Sequence, residues 1–412
     1  MGPREKTQEP TRRLASQGGA PVRKQSLAPW PHFAEDEIEA VAAVLRSGKV
    51  NYWTGEQSLE FEREFAQFVG VKYAVALTNG TAALELALYA LGIAPGDEVV
   101  VPSKTFIATA SCVARLGATP VVADVDPDSQ NITAQSIAAV LTARTKAVIV
   151  VHLAGWPCEM DEILALSKVH GLLVVEDCAQ CVGARYKGRV TGSIGDVGAF
   201  SFCQDKIITT GGEGGMLLMD SRELWERAWS YKDHGKSHAA VFEREHPLGF
   251  RWLHERFGTN WRITEMQSAI GRLQLKKLPQ WLALRRRNAG LLADGLAALP
   301  GLRLCAPPAH SEHAYYKYYA FIRPEALRPE WNVARILDAL DAEGIPCGVG
   351  ACSEIYLEKA FTDAGLGRKV RLPVASRLAD STLMIMVHPG LSEQDMRDTC
   401  AAVAKVMRAA TA

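Results

Sequence analysis

Hydrophobic and polar positions follow two different periods along this chain. Near its start, residues 34–45 and 57–68 carry apolar side chains at helical spacing, and a glycine follows each segment (Gly48, Gly70). From Tyr73 onwards, short runs rich in β-branched residues alternate with stretches of helical periodicity. That alternation is typical of a mostly parallel sheet covered by helices on both faces. We therefore predict an α/β fold that begins with two helices.

Seven short apolar runs are the predicted strands of this sheet. They are Ala74–Leu77, Glu98–Val101, Pro120–Ala123, Ala147–Val151, Leu172–Val175, Val197–Phe202 and Gly215–Met219. A long amphipathic helix is predicted from Thr264 to about Gly290. Pro279 is a candidate break in this helix, because proline removes a helix hydrogen bond.

At 412 residues the chain is too long for one hydrophobic core, since single cores stop growing near ~250–300 residues. We expect residues 1–30 to be a disordered extension and residues 31–290 to form a large domain around the seven-stranded-type sheet. Residues 291–412 are expected to form a smaller α+β domain, which the N-terminal helix is a candidate to join. The segments that predict it are the strand Tyr315–Ile322 and the helices Asn332–Glu343 and Ser392–Ala410.

Composition narrows the class of protein. The 46 basic residues balance 46 acidic ones, which argues against nucleic acid as a partner because phosphate binding normally leaves a basic excess. No apolar run approaches the ~20 residues that cross a bilayer, and the polar start of the chain lacks an apolar signal core. The cysteines are scattered, and the CxxC pair Cys178 and Cys181 is weak evidence for zinc without nearby histidines. We expect a cytoplasmic protein with free thiols and no metal.

The candidate chemistry lies where two predicted strands end. The apolar strand that ends at Val175 leads directly into Asp177, and ligands bind at the carboxyl ends of parallel strands. Alone, Asp177 would be interpreted as an aspartate that caps a following helix. Further along, however, Lys206 stands between the strand Val197–Phe202 and a glycine-rich turn, where the backbone can approach a cofactor closely.

A lysine and a carboxylate in these places suit pyridoxal phosphate (PLP). A desolvated lysine amine loses its proton readily enough to form a Schiff base. A carboxylate against the pyridine nitrogen keeps that nitrogen protonated, which makes the ring an electron sink. We assign the first role to Lys206 and the second to Asp177. Once released from the cofactor, Lys206 is also placed to move the proton of the substrate carbon.

A phosphate site is predicted between the first strand and the helix that follows it. The run from Thr78 through Gly80 and Thr81 opens that helix, whose first amides can bind an anion, although many strand–turn–helix starts look alike. Ser201 is a further hydroxyl candidate. Phe106 follows another strand end and is a candidate for stacking on the pyridine ring, with core packing as the alternative.

Together these segments resemble the sugar and aminocyclitol aminotransferases (the DegT/DnrJ/StrS group) of the fold-type I PLP enzymes, over nearly the whole chain from about Trp30 to about Val406. The motifs that carry the resemblance are specific in order and spacing. They are Tyr52–Gly55, Thr78–Leu84, Val101–Pro102, Thr105–Thr109, Val151–Gly155, Glu176–Gln180, Gly195–Asp196, Phe200–Phe202, Lys206 with Gly212–Gly215, Gly258–Arg262 and Glu265–Gly271.

The resemblance implies roles for individual residues. Lys206 is similar to the Schiff-base lysine, Asp177 to the partner of the pyridine nitrogen, and Gln180 to the neighbour of the cofactor's phenolic oxygen. Phe106 matches the ring-stacking position. The implied phosphate ligands are Gly80, Thr81 and Ser201 from one subunit and Asn260 from the other. A homodimer with shared active sites follows from the last of these.

Two segments depart from the common pattern of the family. The loop Thr209–Glu213 after the lysine is one residue longer, which leaves its backbone path open. The segment Cys352–Tyr356 stands where many nucleotide-sugar members carry a histidine-containing pattern. Relatives that dehydrate deoxysugars have histidine at the position of Lys206, so lysine favours transamination.

The resemblance implies an aminotransferase that moves the amino group of glutamate or glutamine to a nucleotide-linked keto-sugar, for glycan, O-antigen or secondary-metabolite pathways. A keto-inositol (aminocyclitol) acceptor is the alternative within enzymes. A PLP-binding regulator without turnover is the alternative outside them, and the complete catalytic set weighs against it. The candidate substrate contacts at an open pocket mouth are Tyr52, Trp53, Lys232, His234 and Arg251, the last three toward a diphosphate.

Overall fold

The computed structural model describes residues 13–411. Its α-helices are α1 (Glu35–Ser47), α2 (Gln57–Val69), α3 (Gly80–Ala90), α4 (Ala108–Arg115), α5 (Ala134–Ala138), α6 (Met160–His170), α7 (Arg222–Lys232), α8 (His238–Phe242), α9 (Glu265–Leu296), α10 (Val333–Ala342), α11 (Lys359–Asp363), α12 (Pro373–Ala379) and α13 (Glu393–Ala410). Its strands are β1 (Tyr73–Leu77), β2 (Glu98–Pro102), β3 (Thr119–Ala123), β4 (Thr145–Val151), β5 (Leu173–Asp177), β6 (Arg185–Tyr186), β7 (Arg189–Val190), β8 (Val197–Ser201), β9 (Gly215–Met219), β10 (Leu302–Leu304), β11 (Ser311–Glu312), β12 (Tyr318–Ile322) and β13 (Thr382–Ile385).

The centre of the molecule is a seven-stranded sheet in the order β1-β9-β8-β5-β4-β2-β3. Strand β9 runs opposite to its two neighbours, and the remaining pairs are parallel. The apolar runs at its centre are buried on both faces, as continuous hydrophobic strands of a parallel sheet must be. The predicted α/β fold is therefore confirmed. Parallel pairing brings the carboxyl ends of β5 and β8 to one edge of the sheet.

A smaller layer follows at the C-terminal end of the chain. Strands β10, β12 and β13 form an antiparallel sheet in that order. Its core also contains side chains of α10, α13 and the last turns of α9. The boundary predicted at residue 290 stays a prediction, because α9 continues through it from Glu265 to Leu296.

Helix α9 is continuous, so the break considered at Pro279 is wrong. The Thr264 side chain accepts a hydrogen bond from the N–H of Gln267 and caps the first turn. Along its length α9 packs against α1, α2 and α13. This packing outweighs the ~3 kcal/mol that an interior proline costs a helix. No helix in the described part of the chain is long and apolar enough to cross a membrane.

Residues 13–30 pack against the small domain, which corrects the expectation of a disordered extension over residues 1–30. Leu14 is buried in the small-domain core. The buried carboxylate of Glu343 accepts hydrogen bonds from two backbone N–H groups of the segment, at 2.9 and 3.0 Å. The polar composition of the segment hides this packing because its partners lie at the other end of the chain. Residues 1–12 lie outside the described residues.

Candidate active site

The carboxyl ends of β1, β5 and β8 open onto one cavity of about 1020 Å³. Tyr316, Lys317 and Met384, from the C-terminal part of the chain, also line the cavity. Of the eight residues predicted to bind the cofactor, the structure places seven in the cavity wall. They are Gly80, Thr81, Phe106, Asp177, Gln180, Ser201 and Lys206.

Asp177 ends β5 with its carboxylate buried. One oxygen accepts a hydrogen bond from the N–H of Ala179 (3.1 Å) and the other from the hydroxyl of Thr109 (3.0 Å). Burial raises the pKa of Asp177, and the Ala179 N–H and the Thr109 hydroxyl oppose this shift only in part. A carboxylate in this condition is stabilised when a cation lies opposite it, and a protonated pyridine nitrogen is such a cation.

Lys206 lies in the turn that follows β8, and its side chain is only 17% exposed. Its Nζ is 3.1 Å from a carboxylate oxygen of Asp205 and 3.5 Å from the hydroxyl of Tyr316. The Tyr316 hydroxyl donates to the other oxygen of Asp205. From the N-terminal segment, the indole N–H of Trp30 donates to the carbonyl of Lys206 at 2.9 Å. The lysine side chain therefore contacts Asp205 and Tyr316, and its backbone carbonyl is bonded to the N-terminal segment.

The first turn of α3 forms an anion-binding cradle. The Asn79 side chain accepts from the N–H of Ala82 (2.8 Å) and caps the helix. The N–H groups of Gly80 and Thr81 have no hydrogen-bond partner within residues 13–411. A Cβ on Gly80 would lie 2.5 Å from the Cβ of Ser201, so only glycine allows the turn to approach β8 this closely. Free amides at a helix N-terminus are the donors that a phosphate group requires.

Phe106 and Gln180 complete the predicted cofactor set. Phe106 precedes α4 and is 68% exposed at the cavity, so core packing does not explain it in the described chain. The side-chain amide oxygen (Oε1) of Gln180 accepts a hydrogen bond from the N–H of Ala154 at 2.8 Å. This bond orients the amide and leaves its NH₂ group available to donate toward an oxygen in the cavity.

A family model described as the DegT/DnrJ/EryC1/StrS aminotransferase family matches residues 31–404. The chain belongs to this family. It is 35% identical to the L-glutamine:2-deoxy-scyllo-inosose aminotransferase of Streptoalloteichus tenebrarius, over 96% of this chain and 97% of that protein. It is 38% identical to the GDP-perosamine synthase of Caulobacter vibrioides, over 86% and 91%. The X-ray structure of an aminotransferase from Psychrobacter cryohalolentis has a TM-score of 0.91 at 52% identity, covering 93% of this chain and 99% of that one.

Aminotransferases of the DegT/DnrJ/EryC1/StrS family depend on PLP. The cavity offers a chemically matched partner for each part of that cofactor. The free amides of Gly80 and Thr81 suit the phosphate, the buried carboxylate of Asp177 suits the ring nitrogen, and the amine of Lys206 suits the aldehyde. The residues of this chain therefore fit PLP.

Several cavity residues were not found by sequence reasoning. The sequence does contain a signal for Thr109, because a threonine four positions after Thr105 lies on the same side of the start of α4. The two hydroxyl oxygens are 2.8 Å apart. Asp205 adjoins Lys206 in the sequence, but nothing in the local pattern distinguishes it from an ordinary surface acid. Tyr316 and Lys317 carry no local signal, since only the tertiary structure brings this part of the chain to the cavity.

The five candidate substrate contacts do not line the cavity in the described chain, and two of them are buried elsewhere. Lys232 is fully buried, with its Nζ 3.7 Å from the ring centroid of Tyr52 and 3.9 Å from a carboxylate oxygen of Glu62. The Tyr52 hydroxyl donates to the same carboxylate (3.2 Å). Lys232 and Tyr52 are thus structural, and the predicted diphosphate contact of Lys232 is wrong.

The other three candidates lie outside the cavity wall. Trp53 is partly buried, and Lys236 lies over its ring at 4.2 Å. His234 and Arg251 are exposed. Asn260, the predicted contribution of a second subunit, is also exposed and outside the cavity wall.

The CxxC pair has a histidine neighbour that the spacing along the chain did not show. Ligand atoms of His152, Cys178 and Cys181 lie within 4.8 Å of one another, and all three residues are buried. The imidazole is already engaged, because its Nε2 is bonded to Glu176 (3.0 Å) and its Nδ1 accepts the N–H of Cys158 (3.0 Å). We interpret the group as a buried support for the strand end that carries the active-site aspartate.

Proposed function

We propose that the protein transfers the amino group of glutamate or glutamine to a nucleotide-linked keto-deoxysugar. The observation that carries the proposal is the convergence of Lys206, Asp177 and the free amides of α3 on one cavity of about 1020 Å³. The same wall contains Arg115 and Trp261, a guanidinium and an indole of the kinds that bind a diphosphate and stack on a base. Remote contacts of this kind hold a keto carbon in line with the reacting groups.

When bound, PLP supplies an electron sink for the substrate carbon. Lys206 binds the cofactor aldehyde and, once released, takes and returns the proton on the substrate carbon. Asp177 holds the proton of the ring nitrogen by charge and by hydrogen bond. Thr109 keeps the Asp177 carboxylate oriented, since its hydroxyl donates to the oxygen that Ala179 leaves free.

The remaining cofactor contacts position the ring. Gly80, Thr81 and Ser201 bind the phosphate, Phe106 covers one ring face, and Gln180 donates its amide NH₂ to the phenolic oxygen. These assignments are supported by the position of all five residues in one cavity wall.

A homodimer with shared active sites is part of the proposal. The segment between α8 and α9 exposes large apolar side chains, among them Leu248, Phe250, Trp252 and Phe257. Exposed apolar side chains grouped in one segment are typical of protein interfaces. The segment leads directly to Asn260, so a second subunit that covers it would bring Asn260 toward a neighbouring phosphate site. The cytoplasmic location predicted from the sequence stays a prediction.

A keto-inositol acceptor is the second candidate. It is favoured by one specific observation, the relative named L-glutamine:2-deoxy-scyllo-inosose aminotransferase, which matches over 96% of this chain. The GDP-perosamine synthase matches at higher identity over 86%. The two similarities point to different acceptors, so the acceptor has to be decided by experiment.

A competition assay separates the two acceptors. The PLP-loaded enzyme is given α-¹⁵N-labelled glutamate or glutamine with equal amounts of a nucleotide-linked 4-keto-6-deoxysugar, a free keto-hexose and a keto-inositol. Product masses are followed over time, with Lys206→Ala as the inactive control. We expect at least tenfold higher kcat/KM for the nucleotide-linked sugar. Comparable turnover of the unlinked keto-inositol would refute this acceptor and establish the cyclitol alternative.

A further inference from the structure

A second cavity, of about 420 Å³, adjoins the active site. Asp205, Tyr316 and Lys317 line both cavities and so form their common wall. The rest of the second cavity is lined by residues 23–30 of the N-terminal segment, by Arg285 of α9, by Asp341, Gly344 and Pro346 at and after the end of α10, and by the stretch that follows β13. No residue of this second cavity other than the common wall enters the proposed catalytic chemistry.

Arg285 is a buried cation without a counter-charge in this cavity. Its side chain is among the largest fully buried ones, and its Nη1 donates to the backbone carbonyls of Tyr315 (3.2 Å) and Tyr316 (3.3 Å). Its Nε and Nη2 have no hydrogen-bond partner, and no carboxylate of residues 13–411 lies within ion-pair distance. Burial lowers the pKa of Arg285 to about 9, so the guanidinium remains protonated at neutral pH. An unpaired buried charge is costly unless an anion neutralises it.

Two neighbours of Arg285 offer further groups to an anion: Lys317 supplies a second positive charge, and His388 supplies a neutral hydrogen-bonding group. Lys317 is half-buried and has neither a hydrogen-bond nor an ion-pair partner in the described chain. His388 is buried, and its Nδ1 is likewise without a partner there. Burial, helped by Arg285 and Lys317, lowers the pKa of His388 to about 4, so the imidazole is neutral and can donate or accept.

The acidic groups of the cavity do not neutralise the positive charges of Arg285 and Lys317. Asp205 accepts a hydrogen bond from the hydroxyl of Tyr316 and forms no ion pair with Arg285 or Lys317 in the described chain, so one carboxylate faces two cations. Asp341 is exposed at the rim. Inside the rim, Arg285 and Lys317 therefore exceed Asp205 in charge, and the cavity of about 420 Å³ has room for a small organic anion.

We propose that this cavity binds the side-chain carboxylate of the amino donor, through Arg285 and Lys317. The proposal rests on the proposed function in one respect, the use of an acidic amino donor. Lys206 Nζ marks the place of the donor's amine, and the Tyr316 hydroxyl 3.5 Å away leads to the second cavity. A glutamate whose amine lies at Lys206 would direct its side-chain carboxylate toward the common wall, where Lys317 lines both cavities. Glutamate is accordingly preferred to glutamine, whose side chain ends in a neutral amide.

The N-terminal segment takes part in this site. Trp30 stacks on His388 with ring centroids 5.8 Å apart, and Arg285 lies 5.3 Å from the Trp30 ring. The same indole donates to the carbonyl of Lys206. Residues 23–30 therefore line the donor site, and Trp30 connects it to the backbone of the catalytic lysine.

The test uses the PLP-loaded enzyme and separates binding from turnover. Glutarate, a dicarboxylate without an amine, is titrated calorimetrically, with inorganic phosphate and acetate as alternative anions. Donor KM values are measured for glutamate, glutamine and alanine. The variants are Lys317→Met, Lys317→Arg to retain the charge, and Lys168→Met, an exposed lysine of α6, as the matched control. Thermal unfolding of each variant shows whether it is folded.

We expect Lys317→Met to weaken glutarate binding and to raise the glutamate KM at least tenfold, with little change for alanine and for the keto acceptor. Lys317→Arg should recover most of this loss, and Lys168→Met should behave as wild type. Any of four results would overturn the proposal. They are equal effects on the KM of glutamate and of alanine, unchanged glutarate binding, binding of phosphate in place of glutarate, and a preference for glutamine as donor. Glutarate binding that depends on Lys317 in an enzyme that aminates no keto-sugar would leave this site standing and refute the proposed acceptor instead.

Discussion

Replacing Asp177 by asparagine is expected to weaken PLP binding strongly while leaving the unliganded fold at least as stable. The asparagine side chain would keep the oxygen that accepts from the N–H of Ala179, and its NH₂ could donate to the hydroxyl of Thr109. The substitution therefore removes a buried negative charge without removing a hydrogen bond. What is lost is the charge-assisted contact with the protonated ring nitrogen.

The size of the loss follows from that contact. A hydrogen bond to a charged group contributes ~1.5–3 kcal/mol, which corresponds to an increase in Kd of about 10- to 150-fold. Stability should change in the opposite sense. Because burial raises the pKa of Asp177, the folded chain holds its proton more tightly than the unfolded chain, and stability contributed by this group is lost as pH rises through the folded pKa. Asparagine avoids that loss.

Binding is measured in a Lys206→Ala background, so that PLP binds without a covalent bond and its Kd can be titrated. Thermal unfolding of the unliganded proteins is then compared between about pH 4 and pH 7. Asp196→Asn is the matched control, since this exposed carboxylate accepts the N–H of Val174 (2.7 Å) outside the cavity. An unchanged Kd for Asp177→Asn, or an unliganded variant less stable than wild type at pH 7, would refute the reasoning.

Two further predictions concern residues outside the cavity wall. Lys232→Ala should destabilise the protein by ~3–5 kcal/mol, because Glu62 would keep a buried charge without its cation. The thermal midpoint should fall, while the preference for a nucleotide-linked sugar over a free one stays unchanged. A changed preference at normal stability would restore Lys232 as a substrate contact. Mixing Lys206→Ala chains with Asn260→Ala chains should restore part of the activity in heterodimers, since one of the two shared sites then has both intact residues. No recovery of activity after verified subunit exchange would argue against shared sites.

The fold was predictable because its strands are buried on both faces. Runs such as Glu98–Val101 and Ala147–Val151 contain little else than apolar residues, and only a covered parallel sheet accommodates several of them. The N-terminal segment was not predictable in the same way. Its packing depends on Glu343, a residue that local sequence patterns cannot connect to it.

For some residues the local sequence predicts whether the side chain lies in the active site, and for others it does not. Asp177 and Lys206 stand at strand ends, where the geometry of a parallel sheet determines their position. Lys232 is the last residue of α7 and stands two positions before the exposed His234. Nothing in that local pattern shows that the Lys232 side chain points into the interior. Arg285 and Lys317 line the second cavity only because the tertiary structure brings together segments that are far apart in sequence.

The position of the Schiff-base lysine is the most direct test of the account. The PLP-loaded wild-type protein is reduced with borohydride and digested, and the cofactor-bearing peptide is identified by mass, with Lys206→Ala as the control. We predict a single adduct on the peptide that contains Lys206 and none in the variant. An adduct on Lys104, on Lys317 or on any other lysine of the wild-type protein, or an adduct that persists in Lys206→Ala, would contradict the assignment.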